Sequence, residues 1–134
     1  RKKLNRLSVV YVVIDDLKFI NDHYGHFAGD EIIKVFADLL VKSFPLRHKK
    51  LIRLGGDEFL ILLEEQQREM VAVYIQNLNQ HVDAYNLIGE KPYSLKFSYG
   101  TACYTNDYKN IYQLLEYADQ LMYEQKQSRK SKMI

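Results

Sequence analysis

The sequence lacks the features that would tie it to an oxidising compartment, a membrane or a nucleic acid. It has one cysteine, Cys103, in 134 residues. A single cysteine closes no internal disulfide and builds no zinc cluster, so Cys103 reads as a small core residue of a strand. No apolar run approaches the ~18 residues of a membrane span, and no signal peptide is visible. The expectation is a cytoplasmic domain without direct membrane insertion, including the case of the soluble end of a longer, membrane-anchored parent. Charge of one sign is also lacking: 19 Lys and Arg stand against 17 Asp and Glu, a net charge of +2. That is too small to argue for nucleic acid as a partner, although basic residues collect at both ends, Arg1 to Lys3 and Lys126 to Lys132. The 11 tyrosines are spread at core-like spacing, not gathered as a stacking platform, which argues the same way. Repeats and linkers are missing too. Residues 1–134 therefore read as one domain, long enough for a real core.

The chain alternates between elements. "LSVVYVVI", Leu7 to Ile14, is almost continuously apolar and β-branched, the pattern of a central strand buried on both faces. "DDLKFINDHYGH" follows at once and suggests a strand-to-short-helix junction. Helical spacing of Ile32, Phe36, Leu39 and Leu40 predicts a helix over 28–44, with Pro45 after its end. Strands are expected at 50–54 and 59–63, a helix over 65–84, a strand over 93–104 and a last helix over 111–127. Gly100 inside its strand reads as a bulge or a point of close approach. Hairpins joined to single crossovers predict an α/β fold of the α+β sandwich kind, with a mixed or antiparallel sheet flanked by helices.

"RLGGDEFLILL", Arg53 to Leu63, puts two glycines and two acids in the middle of a buried hairpin. Gly-Gly and Gly-Asp are ordinary turn residues, because glycine reaches positive φ without strain. The acids ask for more. "VIDD" ends the first strand, so Asp15, Asp57 and Glu58 lie at one sheet edge if that strand neighbours the hairpin. Convergent carboxylates repel one another unless a cation lies between them, and Mg²⁺ takes one or two carboxylates plus water and phosphate oxygens. The N–H groups from Asp16 to Phe19 open a helix, which favours an anion, and Lys18 adds positive charge. Together these residues describe a metal–triphosphate site. The plainer reading is a set of surface acids at strand ends.

"LGGDEF", with "KFINDHYGHFAGDE" upstream and "FSYGTA" and "YADQLMYEQK" downstream, resembles the GGDEF family of diguanylate cyclases. The resemblance runs from about Leu7 to Lys130, with its blocks in order. It implies a palm-like fold related to nucleotidyl cyclases, and condensation of two GTP into cyclic di-GMP with release of two pyrophosphates. It also implies a homodimer, in which a second GGDEF subunit brings the other GTP. It assigns Asn21 and Asp30 to guanine, since one carboxylate can accept from both N1–H and N2–H₂. Without the resemblance, Asp30 reads as an acid in the first turn of its helix. Gly55 and Gly56 would let the backbone approach the nucleotide. Asp57 corresponds to a metal ligand, beside the backbone carbonyl of Ile14. Glu58 corresponds to an acid needed for catalysis. Leu17, Lys18, Lys126 and Lys130 match or lie near phosphate contacts. For Lys126 and Lys130 the plain alternative is a solvated basic tail. The implied cofactor is Mg²⁺, or Mn²⁺ through the same oxygen ligands.

The sequence departs from the family pattern in three places. The family's first strand usually ends Asp-x-Asp, and here the first of these is Val13, which cannot coordinate a cation. Asp15, two residues on and on the same strand face, is a candidate replacement ligand, while Asp57, the Ile14 carbonyl and the candidate Glu58 are what the site keeps. The Arg-x-x-Asp of feedback inhibition falls on "LRHK", Leu46 to Lys49, so no cyclic di-GMP inhibitory site is expected there. The family's leading segment is absent, so the sequence is expected to begin inside what would be the first helix. Two classes of function stay open at this point. One is a cyclase with a thinned metal site. The other is a degenerate domain that binds GTP or cyclic di-GMP, or contacts a partner, without turnover.

Overall fold

The computed structural model describes residues 7–45, 47, 49–64 and 67–132, with 130–132 by backbone alone. Its elements are β1 (Ser8–Ile14), α1 (Leu17–Tyr24), α2 (His26–Ser43), β2 (Lys49–Arg53), β3 (Glu58–Leu63), α3 (Arg68–Ile88), β4 (Phe97–Cys103) and α4 (Ile111–Lys132). The strands form one sheet in the order β2-β3-β1-β4, and each neighbouring pair is antiparallel. The expected helix-flanked sheet is found, in its antiparallel form.

The apolar run of β1 makes it a central strand. Val10, Val12 and Ile14 face one side, with Phe59, Ile61 and Leu63 of β3, and pack against Ile32, Phe36 and Leu40 of α2 and Val71, Ile75 and Leu78 of α3. Val9, Leu60 and Ala102 face the other side, under Leu114 and Ala118 of α4. α4 presses onto β4 so closely that a Cβ on Gly100 would collide with the Ala118 carbonyl oxygen. The β1–β4 ladder runs unbroken through the Tyr11–Gly100 pair, so Gly100 is a close-approach residue and makes no bulge.

Several boundaries differ from the expectation. α2 begins two residues earlier than expected, at His26, after Gly25 with φ 94°. Asp30 therefore falls in the second turn and not the first. Tyr93 to Lys96 stay outside the strand, because Leu95 exchanges two hydrogen bonds with the Asn86 side chain at the end of α3. α3 runs to Ile88 and α4 to Lys132, both beyond the expected ends, while Glu65 and Gln66 lie outside the described residues. Cys103 is half-buried, 3.2 Å from Ser8 Oγ. Among the described residues no helix is long and apolar enough to cross a membrane.

Candidate functional site

The site is built where β1 ends between β3 and β4. Glu58, Val13 and Ser98 form one cross-strand row, because Val13 pairs with Glu58 on one side and with Ser98 on the other. Successive strand residues alternate faces, so this row lies on the α4 side with Tyr11 and Leu60, opposite the face of Phe59. The hairpin tip is tied to β1 by the Ile14 N–H, which donates to the Asp57 carbonyl at 2.9 Å. Arg53 fixes the turn from within: Nε donates to the Gly55 carbonyl and Nη2 to the Gly56 carbonyl, both at 3.0 Å. Leu54 N–H closes the hairpin on the Glu58 carbonyl at 2.8 Å.

The glycines of this turn are a finding in themselves. Neither Gly55 nor Gly56 adopts the left-handed conformation, and an added Cβ at either would meet no atom within 4 Å. The expected hairpin turn is found, and it uses positive φ at neither glycine. Backbone geometry and packing both leave room for a side chain at each position.

Asp15 faces β4 and α4. Its two carboxylate oxygens accept from Ser98 Oγ at 2.9 Å each. Arg129 Nη1 donates to Asp15 Oδ2 at 3.3 Å and also to the Phe97 carbonyl. The Asp15 N–H donates to the Lys96 carbonyl at 2.8 Å. Burial raises the Asp15 pKa above the usual carboxylate value, against the opposing pull of Ser98, Arg129 and Lys126. The basic end of α4 thus reaches over the end of β1.

α1 starts immediately after. Asp16 takes φ 62° and ψ 25° as its N-cap, and the first helical bond is Ile20 N–H to the Asp16 carbonyl at 3.1 Å. The earlier N–H groups, from Leu17 to Phe19, are those that a helix start leaves without intrahelical carbonyls. Leu17 is buried and Lys18 exposed. Asn21 is seated against α2 where Gly29 leaves space, since a Cβ there would collide with the Asn21 side chain. Asp30, the next residue, is exposed beside it.

Asp57 and Glu58 are both half-buried on the hairpin tip. Among the described residues no three His, Cys, Asp or Glu side chains gather as a metal cage. The donor set of Asp57 and Glu58, with the Ile14 backbone beside them, fits Mg²⁺, which needs only one or two carboxylates when water and phosphate fill its other positions. Lys126 is half-buried on α4, while the Lys130 side chain lies outside the described residues. Leu46 and His48 of the "LRHK" stretch lie outside them as well.

Residues 1–132 match the family described as "Diguanylate cyclase, GGDEF domain". The chain belongs to the GGDEF family. It is 28% identical over 133 residues to Diguanylate cyclase A of Treponema denticola, covering 98% of this chain and 36% of that protein. It is 34% identical over 132 residues to Diguanylate cyclase DgcN of Escherichia coli, covering 95% of this chain and 31% of that protein. The chain thus spans about a third of these relatives. Among solved structures, the active GGEEF domain of a diguanylate cyclase from Vibrio cholerae superposes with a TM-score of 0.83 at 27% identity, over 92% of this chain and 78% of that one. The GGDEF domain of PA1120 from Pseudomonas aeruginosa gives 0.81 at 29% identity, over 92% and 78%.

Three residues of this GGDEF domain's site were missed in the sequence: Tyr11, Ser98 and Arg129. Tyr11 is hidden in an apolar run, where nothing marks its hydroxyl as used. Ser98 reads as one polar residue of an alternating strand. Arg129 lies in a basic run, where charge alone does not single it out. The signal that could have found Arg129 is helical spacing, because it follows Gln125 by four residues, and Gln125 Oε1 already accepts from Tyr99 N–H of β4 at 2.8 Å.

Proposed function

We propose that this chain binds one GTP and, paired with a second copy, condenses two GTP into cyclic di-GMP and two pyrophosphates. The observation that carries this reading is the Gly55–Gly56 pair. The fold has no need of glycine there, and the pair sits beside Asp57 and Glu58. Open space above a bare backbone is what a nucleotide needs for close approach.

In this reading Asp30 accepts from guanine N1–H and N2–H₂, and Asn21 completes the recognition of the base edge. The N–H groups at the start of α1 meet the phosphates, with Lys18, Lys126 and Lys130 supplying charge. Arg53 holds the turn so that Gly55 and Gly56 keep their path. The 3′-oxygen of one GTP attacks the α-phosphorus of the other, the bond to the β-phosphate breaks, and pyrophosphate leaves. Glu58 stands where the 3′-hydroxyl proton is given up. GGDEF domains are generally Mg²⁺-dependent and work as dimers. Asp57 and Glu58 would hold such an ion, and it would supply neutralisation of the charge developing on the phosphates. Asp15, with both oxygens accepting from Ser98 and one from Arg129, fits the role of a brace between β1, β4 and α4 better than that of a metal ligand.

Val13 favours a second reading, a regulatory module that binds GTP or cyclic di-GMP without turnover. Its side chain is 1% exposed and puts no oxygen beside Glu58. Incubation of the protein with GTP and Mg²⁺ or Mn²⁺, with cyclic di-GMP read by mass spectrometry, separates the two. Product that disappears in Glu58→Ala supports the cyclase. GTP binding without product, at concentrations that favour dimers, supports the module. Absence of GTP binding overturns the cyclase, and absence of cyclic di-GMP binding as well overturns the module.

A further inference from the structure

Glu58 is held from the middle of the sheet. In the β1–β3 ladder Tyr11 pairs with Leu60 and Val13 with Glu58, so Tyr11 is diagonal to Glu58 on the α4 face. A diagonal neighbour is within reach of a long aromatic side chain. Tyr11 Oη donates to Glu58 Oε1 at 3.1 Å. Val13, directly opposite Glu58, offers no polar atom. A phenol O–H donates and a carboxylate only accepts, so the direction of this bond is fixed by the two groups.

A glutamate on a hairpin tip has rotamers to lose, and fixing them on each binding event opposes binding. Where two carboxylates face one another, a shared cation can orient both. Here the facing residue is valine, and a phenol is the partner instead. We propose that Tyr11 is a positioning residue: its hydroxyl anchors Glu58 Oε1 and leaves Oε2 as the oxygen that Glu58 presents to the metal and to the 3′-hydroxyl. This rests on the reading of Glu58 given above. It adds to that reading a residue outside the loop and helix positions named so far.

Tyr11→Phe removes the donor and keeps the ring. The experiment measures Mn²⁺ affinity by electron paramagnetic resonance in the presence of a non-hydrolysable GTP analogue, alongside thermal unfolding and, where product forms, kcat and KM. In Tyr11→Phe, Mn²⁺ affinity is expected to fall roughly tenfold, the usual scale for losing a hydrogen bond to a charged group. Any kcat should fall with it, while GTP-analogue affinity without metal stays as in the parent. Introducing 4-aminophenylalanine at Tyr11 restores an N–H donor at similar reach and should recover Mn²⁺ affinity even if Tyr11→Phe lowers the unfolding temperature. Unchanged Mn²⁺ affinity in Tyr11→Phe, with loss in Glu58→Ala, overturns the positioning role and leaves Glu58 in place. Unchanged Mn²⁺ affinity in Glu58→Ala overturns the reading of Glu58 itself, and the role of Tyr11 with it.

Discussion

Val13 is the direct partner of Glu58 across the β1–β3 ladder, and it is 1% exposed. An aspartate at this position would bring a second carboxylate to the α4 face beside Glu58. Val13→Asp is therefore expected to raise Mg²⁺-dependent cyclic di-GMP formation by at least about tenfold, the scale on which metal sites respond to lost partners. It should also lower stability by about 1–3 kcal/mol, because a polar group replaces a buried apolar one. Product by mass spectrometry and urea unfolding check the two halves. A variant that still binds GTP but makes no more product than the parent would show that Val13 does not limit catalysis.

The parts of the fold that were legible are those with strong periodicity. The apolar run through β1 and the helical spacing of Ile32, Phe36 and Leu40 each mark an element whose residues are buried in the core. The glycines and acids of "RLGGDEF" mark the hairpin. What escaped is tertiary. The start of the expected strand, Tyr93 to Lys96, is lost to Asn86, whose amide near the end of α3 satisfies Leu95 nine residues on. Asp15 could be placed at a strand end but not given its partners, since Ser98 and Arg129 come from distant segments. Charge in a basic run says nothing about which arginine turns inward.

Gly100 tests the packing of α4 on the sheet. A Cβ there would run into the Ala118 carbonyl oxygen and lie 2.6 Å from the Met122 nitrogen, both of them helix backbone that cannot rotate away. Gly100→Ala is expected to destabilise the fold by about 1–3 kcal/mol, the range for overpacking. Urea unfolding of the two proteins measures it. A loss below about 0.5 kcal/mol, typical of surface changes, would show that α4 shifts freely over β4.

Asp15 makes stability depend on pH in a direction that its burial fixes. Its folded-state pKa is raised, so the folded protein holds this proton more tightly than the unfolded chain. The contribution is fully present below the ordinary carboxylate value of about 3.9 and is lost as pH rises through the higher folded value. Asp15→Asn removes the ionisation and keeps an acceptor for Ser98. Relative to this variant, the parent should lose stability as pH climbs from about 4 towards neutrality. Urea midpoints of both proteins across that range report the sign. A parent that gains on the variant as pH rises would mean that Ser98 and Arg129 outweigh burial.

Gly55 and Gly56 separate what the fold requires from what a ligand requires. Neither is left-handed and neither has a neighbour within 4 Å of an added Cβ. Alanine at a conformation it can adopt restricts the unfolded chain and stabilises by about 0.4–1 kcal/mol. Gly55→Ala and Gly56→Ala should therefore unfold at the same denaturant concentration as the parent or slightly higher. A nucleotide running over this backbone would meet the new methyl groups, so GTP affinity should fall at least about tenfold, or ~1.4 kcal/mol. Calorimetry with GTP, set beside urea unfolding of the same samples, gives both quantities. Stability kept and affinity lost places the nucleotide on the turn. Stability and affinity both kept would leave Gly55 and Gly56 as turn residues alone, and GTP would then have to pass elsewhere on the end of β1.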